Sequence, residues 1–187
     1  MGASRLLTAT AVVAGVLALA GCTAAGPSRS DAPHDAPSGG QTLGEMRELL
    51  GSIDGIRVSD IRGGERPNVK GNTGYSIALD VSDGYTVIDG AALVDFVVTA
   101  VWSVREGYRP NATIDIRVRM PEGGAFDVAA AAASAGWVAD ASTGASAFST
   151  VTVPLSAAKE QGASNLTRLG DWPGAVPAIP TDVTARG

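Results

Sequence analysis

The segment Gly90 to Glu106, GAALVDFVVTAVWSVRE, limits the possible fold more than any other stretch of this chain. Leu93, Val94, Phe96, Val97, Val98, Val101, Trp102 and Val104 cover most of a helical circumference, and Asp95, Thr99, Ser103 and Glu106 form a narrow polar stripe. A helix that apolar must be covered on more than one side. Its β-branched residues also cost helix propensity, so tertiary burial has to hold it in place. Asp89 suits the N-cap, Ile88 and Leu93 stand at the two positions of a hydrophobic staple, and Gly107 suits the residue that ends the helix. A membrane-crossing reading is opposed by Asp95 and by length, since a span needs about 20 apolar residues.

Two alternating stretches flank this helix. Tyr75, Ile77, Leu79 and Val81 alternate with Ser76, Ala78 and Asp80, while Ile114, Ile116, Val118 and Met120 alternate with Thr113, Asp115, Arg117 and Arg119. Each pattern is a strand with one dry and one wet face. A helix between two such strands makes a crossover that sets them parallel, adjacent or separated by one strand. On the wet face, Arg117 and Arg119 are expected to pair with Asp80 or Asp115, the competing reading being a basic patch with Arg57.

The remaining elements are weaker. Thr42 followed by Glu45 is a capping-box signature, and Leu43, Met46, Leu49 and Leu50 recur at helical spacing. Ile56 and Val58 alternate but Ile61 is displaced by one, which predicts a strand with a bulge. The Gly-rich stretch 63–74, GGERPNVKGNTG, places Lys70 before its glycine and runs into a strand, so it fails as a phosphate cradle and reads as a hairpin loop. An Ala-rich helix is expected from Phe126 to Ala135, a last strand from Phe148 to Val153, and a weak helix with Gly162 inside it before Leu169. The sum is an α+β fold, a two-layer sandwich with a sheet of about four strands and helices on one face. By element order the nearest templates are ferredoxin-like or split-βαβ, an analogy that carries no function.

At the amino terminus, Leu6 to Ala20 run apolar apart from Thr8, Thr10 and Gly15, behind a leader carrying Arg5. This run is too short for a stable span and fits a secretory signal peptide. It closes on Leu19-Ala20-Gly21-Cys22, a Leu, two small residues and a Cys, and Cys22 is the only cysteine in the chain. The stretch resembles the signal peptide of bacterial lipoproteins. The resemblance covers residues 1–22 alone. It implies cleavage between Gly21 and Cys22, a thioether-linked diacylglycerol on Cys22, and a lipid-anchored protein on the extracytoplasmic face of the cell membrane. Two acyl chains hold a protein on a bilayer far more durably than one. The alanine and glycine richness resembles the bias of a GC-rich bacterium.

The domain plan is therefore a signal peptide (1–21), a lipidated Cys with a flexible tether (22–41), one α+β domain (42–169), and a Pro-rich extended tail (170–187) pinned by Trp172. About 19 tether residues of Pro, Gly, Ser, Asp and Ala would have a root-mean-square reach of roughly 25 Å. His34, the only histidine, falls in that tether, where no second ligand is held near it.

The chemistry of the chain is sparse. A net charge of −5 opposes nucleic-acid binding through an overall field. With Cys22 modified there is no free thiol, no disulfide and no Cys/His zinc site. No histidine stands inside the domain as a general base, and no HExxH, GxSxG, SxxK or GxGxxG pattern occurs. Asp80, Asp83, Asp89 and Asp95 each have a structural reason to be where they are, in wet stripe, turn or cap. No catalytic residue, metal site or cofactor is therefore assigned, and the chain is not expected to be an enzyme. The function expected is a membrane-anchored, non-enzymatic module binding an envelope protein or a wall or lipid component through an open sheet face or edge strand. The alternative is a carrier or sensor of a small apolar ligand, with a cavity between sheet and central helix lined by Tyr75, Phe96 and Trp102.

Overall fold

A computed structural model describes residues 32–187. Gly21 and Cys22, and with them the signal peptide and lipidation site, lie outside the described residues. The elements run α1 (Leu43–Leu50), β1 (Ile56–Arg62), β2 (Gly74–Val81), β3 (Tyr85–Val87), α2 (Gly90–Trp102), β4 (Thr113–Arg119), α3 (Val128–Ser134), β5 (Phe148–Pro154), α4 (Glu160–Leu169) and β6 (Thr184–Arg186). Four strands form one sheet in the order β1-β2-β4-β5, with β2 and β4 parallel and each outer pair antiparallel. The architecture is an α+β sandwich. The parallel pair is adjacent and the strands follow sequential order, whereas a split-βαβ arrangement would insert a strand between the parallel two.

The dry residues of the strands become the core. Ile77, Leu79, Ile114, Ile116, Val118, Val151 and Val153 face the helical layer, where Leu93, Val94, Val97, Val98 and Val101 of α2 are fully buried against them. The displaced Ile61 is restored to this face by the register shift between Val58 and Asp60: Val58 pairs with Leu79, Asp60 with Ala78 and Ile61 with Ile77. One extra residue in β1 thus keeps two short apolar runs on the same side of the sheet.

Both caps form as the spacing predicts. Thr42 accepts from the Glu45 amide while the Glu45 carboxylate accepts from the Thr42 amide. Asp89 accepts from the Ala92 amide at 2.9 Å. The staple does not form, because Ile88 is 58% exposed while Leu93 is fully buried. α2 also ends four residues before the expected Glu106, at Trp102 with Ser103 as C-cap. The reason is a competitor for the backbone: Arg105 donates its N–H to Gln41 O (2.9 Å), and Gln41 donates to Ser103 O (2.8 Å). Gln41 is itself buried, its amide donating to the Ser103 hydroxyl at 2.7 Å.

The outer segments are therefore docked, which corrects two expectations. The second half of the expected tether packs on the chain after α2: Arg109 N donates to Pro33 O, Asp35 N to Gly107 O and Ala36 N to Arg105 O. His34 is not isolated, since its ring lies 4.8 Å from that of Tyr108 and its Nδ1 is 3.2 Å from Asp35. The Pro-rich tail returns to the domain, where β6 pairs antiparallel with β3 and Val183 is buried. Trp172 packs against the core, as expected of it, while Trp102 donates its indole N–H to Asp171 O at 3.1 Å. Polar, Pro-rich composition does not exclude docking when partner backbone groups stand ready.

Asp127 shows how one cap can do two jobs. It caps α3 through the amides of Ala129 and Ala130, and it also accepts from the Ser142 hydroxyl (2.7 Å) and the Gly144 amide (2.8 Å), fastening the small-residue loop before β5. These donors, the Ser142 hydroxyl foremost, lower its carboxyl from an ordinary 3.8 to about 2. A carboxyl depressed on folding stabilises the folded state above its unfolded value and loses that contribution as pH falls through the folded one. The tie should thus persist well below pH 3.8 and release near pH 2. A carboxyl-carbon NMR titration of Asp127 checks the midpoint. Asp127→Ala should speed amide exchange at Gly144 and Ala130 at neutral pH.

Candidate functional site

The helices occupy one side of the sheet, and the opposite side is the open surface of the domain. Strand register arranges its side chains in three rows across β1, β2, β4 and β5. They are Arg62, Ser76, Asp115 and Thr152; then Asp60, Ala78, Arg117 and Thr150; then Arg57, Asp80, Arg119 and Phe148. Period-two alternation put these residues here, since each is the outward partner of a core residue.

Asp80 is the electrostatic centre of the third row. Its side chain is largely buried, its carboxylate receives Arg57 at 2.8 Å and Arg119 at 3.8 Å, and the Ser59 hydroxyl in the bulge donates to it at 3.2 Å. Arg62 pairs with Asp60 at 2.9 Å. Cross-strand pairing through Asp80 thus takes Arg119, as expected, and also Arg57, which the competing reading places in a basic patch. Arg117 does otherwise: it donates to the Ser76 hydroxyl at 2.8 Å, while Asp115 accepts from Thr152. Arg57, Arg62 and Arg119 keep most of their side-chain surface in water, so their pairs are worth little as stability and their guanidinium donors remain accessible.

Two open depressions lie along this face. One, about 310 Å³, is bounded by Arg62, Arg66, Asn68, Asn72, Ser76 and Asp115. The other, about 390 Å³, is bounded by Asp60, Arg62, Asp80, Arg117, Arg119 and Phe148. Arg62 belongs to both and makes them one polar trough. Phe148, 54% exposed, is the large apolar residue at its edge.

Charge is unevenly divided between this face and the rest. The face and the 63–73 loop beside it carry Arg57, Arg62, Arg66, Lys70, Arg117 and Arg119 against Asp60, Glu65, Asp80 and Asp115. The remaining described residues carry six Lys and Arg against fourteen Asp and Glu. A chain of net charge −5 therefore presents a weakly cationic surface on one side.

The three residues expected to line a cavity under α2 are not brought together. Phe96 is a packed core residue. Tyr75 is a core residue packed beneath Gly63, its hydroxyl reaching Glu106 O at 3.5 Å, and it contributes to the lining at one end of the trough. Trp102 borders a separate depression of about 170 Å³ with Asp95, Trp137 and Arg168. Burial, and secondarily the Glu106 charge, pushes the Tyr75 hydroxyl up to about 12, so it is a neutral donor and not a base at neutral pH.

The four aspartates considered for carboxylate chemistry do not converge as a set. Asp89 and Asp95 belong to α2, on the far side of the sheet from Asp80. Asp80 and Asp83 do border one depression, of about 290 Å³, but Arg57 stands in it and pairs with Asp80. Among the described residues no group of three or more His, Asp or Glu side chains is placed to hold a metal ion. No helix among them is long and apolar enough to cross a membrane.

What sequence reasoning missed is the loop contribution. Arg66, Asn68 and Asn72 bring side chains from the 63–73 hairpin to the end of the trough, and only the tertiary path of the loop puts them there. Asn68 organises that loop through its side-chain oxygen, which accepts from the amides of Lys70 (2.8 Å) and Asn72 (3.1 Å). An Asx-type turn was legible in Asn68 as a residue type, but not its direction. Comparison of this chain with protein-family models, with curated proteins and with solved structures finds no match.

Proposed function

We propose that this chain is a lipid-anchored, non-enzymatic binding module of a bacterial cell envelope that presents its open sheet face to a protein partner. The observation that carries this reading is the face itself: a four-strand surface, left uncovered by the described helices, that bears a trough lined with accessible guanidinium groups. Arginine is suited to such contacts because its planar donors can hold carboxylates in a fixed geometry. A surface of this kind fits an extended segment bearing acidic side chains better than an apolar small molecule. The lipobox supports the location, the extracytoplasmic face of the membrane, through Cys22.

The test is site-directed photocrosslinking in cells from positions in the trough, with Arg62→Glu/Arg117→Glu and Cys22→Ala versions in parallel. The reading expects one envelope protein captured from the trough, and about tenfold less capture after double charge reversal. Arg62 and Arg117 take no part in the core, so the reversed variant should still unfold in one cooperative transition, which a urea titration checks. Equal capture by the reversed variant would remove the face as the binding surface. A small molecule retained by the native protein in mass spectrometry, with no protein captured, would favour the carrier reading instead.

A further inference from the structure

The described chain meets the domain at one end of the sheet. Pro33, Asp35 and Ala36 are hydrogen-bonded to the 105–109 segment, and that segment abuts the 63–73 loop: Tyr108 N donates to Gly64 O at 2.9 Å. The approach is so close that a Cβ on Gly107 would stand 2.4 Å from Gly64 O. Ten residue steps separate Ala32 from Cys22. Even fully extended they cover no more than about 35 Å. Docking of residues 33–41 thus places Pro33, eleven residue steps from Cys22, at the end of the sheet that carries the 63–73 loop.

That loop is built to meet an anionic surface. It carries Arg66 and Lys70 beside Val69, which is 78% exposed, with Glu65 as its one carboxylate. Nearby, Asp35 accepts from the Gly107 amide and Glu106 from the Leu43 amide, so both of these carboxylates are engaged with backbone. The division of charge acts in the same sense. The face and loop are weakly cationic, while the rest of the domain, with fourteen carboxylates to six cations, is repelled by negative charge.

We propose that the 63–73 loop is a second membrane contact, seating Arg66 and Lys70 on the phosphates of anionic phospholipid headgroups with Val69 at the interface. This rests on the reading of Cys22 as the lipid anchor. Because the loop joins the ends of β1 and β2, the contact stands the strands up from the bilayer, and the open face looks sideways along the membrane. A partner embedded in or tethered to the same membrane then meets the trough directly.

The experiment uses the full processed chain in vesicles of phosphatidylcholine with and without phosphatidylglycerol. Cys22 is the only cysteine, so a thioether there leaves the wild type without a thiol, whereas Val69→Cys takes one fluorophore. With phosphatidylglycerol present, the label at residue 69 should be quenched by headgroup-level quencher lipids. A label at Glu122→Cys, at the opposite end of the sheet, should remain in water. Each cation near such a surface raises occupancy by about fivefold, so Arg66→Glu/Lys70→Glu should lower docking by at least about 25-fold. An unquenched label, still in water, in neutral vesicles and a quenched one in anionic vesicles supports the contact. If the wild type refuses the thiol reagent but label 69 stays in water in both vesicles, the anchor stands and the loop contact is overturned. Equal quenching at 69 and 122 also overturns it. If the wild type itself takes the reagent, the anchor reading fails and the contact falls with it.

Discussion

Replacing Trp137 with alanine is expected to lower stability by about 3–5 kcal/mol, the usual range for removing a large buried aromatic. Trp137 is fully buried after α3, its indole N–H donates to Asp95 at 3.1 Å, and the Arg168 guanidinium lies 3.9 Å above its ring. Arg168 also pairs with Asp95, so one residue of the polar stripe on α2, one indole and one arginine of α4 form a closed set. Truncation opens a cavity between α2, α3 and α4 and removes a donor from Asp95. A domain of this size should lose about 6–20 °C in its thermal midpoint. Circular dichroism melts and urea titrations read both quantities. A drop below about 1 kcal/mol would show that the three helices hold together without this ring.

The second large effect is expected at Asn165. This residue is buried, and its side-chain amide donates to Trp137 O at 2.9 Å and to Pro154 O at 2.8 Å, while its carbonyl accepts from Gln161 at 3.1 Å. Asn165→Leu leaves two carbonyls without their donor, at a cost of about 1–3 kcal/mol for each buried group left unpaired. The expected loss is about 2–5 kcal/mol, read from the urea midpoint. Since Asn165 holds the backbone of Trp137, the double variant should lose less than the sum of the two single losses. Full additivity would mean that the indole and the amide act on separate parts of the domain.

Neither effect could be weighed from sequence. In the sequence Trp137 stands just after an Ala-rich helix with nothing to show its partners, and nothing singles out Asn165 among the polar residues of a weak helix. Gly162 looks like a flaw in that helix. In the structure it is the place where α4 crosses the chain at Ser156, since a Cβ there would meet the Ser156 carbonyl oxygen at 2.3 Å. Close approach explains the glycine, and close approach is a property of two segments at once.

The candidate face divides in the same way. Which residues point outward from β2 and β4 was legible, because alternation has a period of two and the dry face must be the core. The bulge in β1 was legible from a single displaced isoleucine. Whether Arg117 would find a carboxylate was not. Pairing depends on cross-strand register and on competing hydroxyls, and Ser76 takes that guanidinium.

By itself, the sequence determined the elements whose pattern is local and repeated: the apolar helix after Asp89, the two alternating strands around it, the capping box at Thr42, and the α+β class that follows from their order. Tertiary structure alone decided that β2 and β4 lie side by side. It also decided that the polar segment ending at Gln41 and the Pro-rich tail are part of the domain. Periodicity reports how much surface a segment must bury. Docking of polar chain depends instead on unpaired backbone groups elsewhere, here the carbonyls and amides after α2 and along β3, and these become available only once the core has formed.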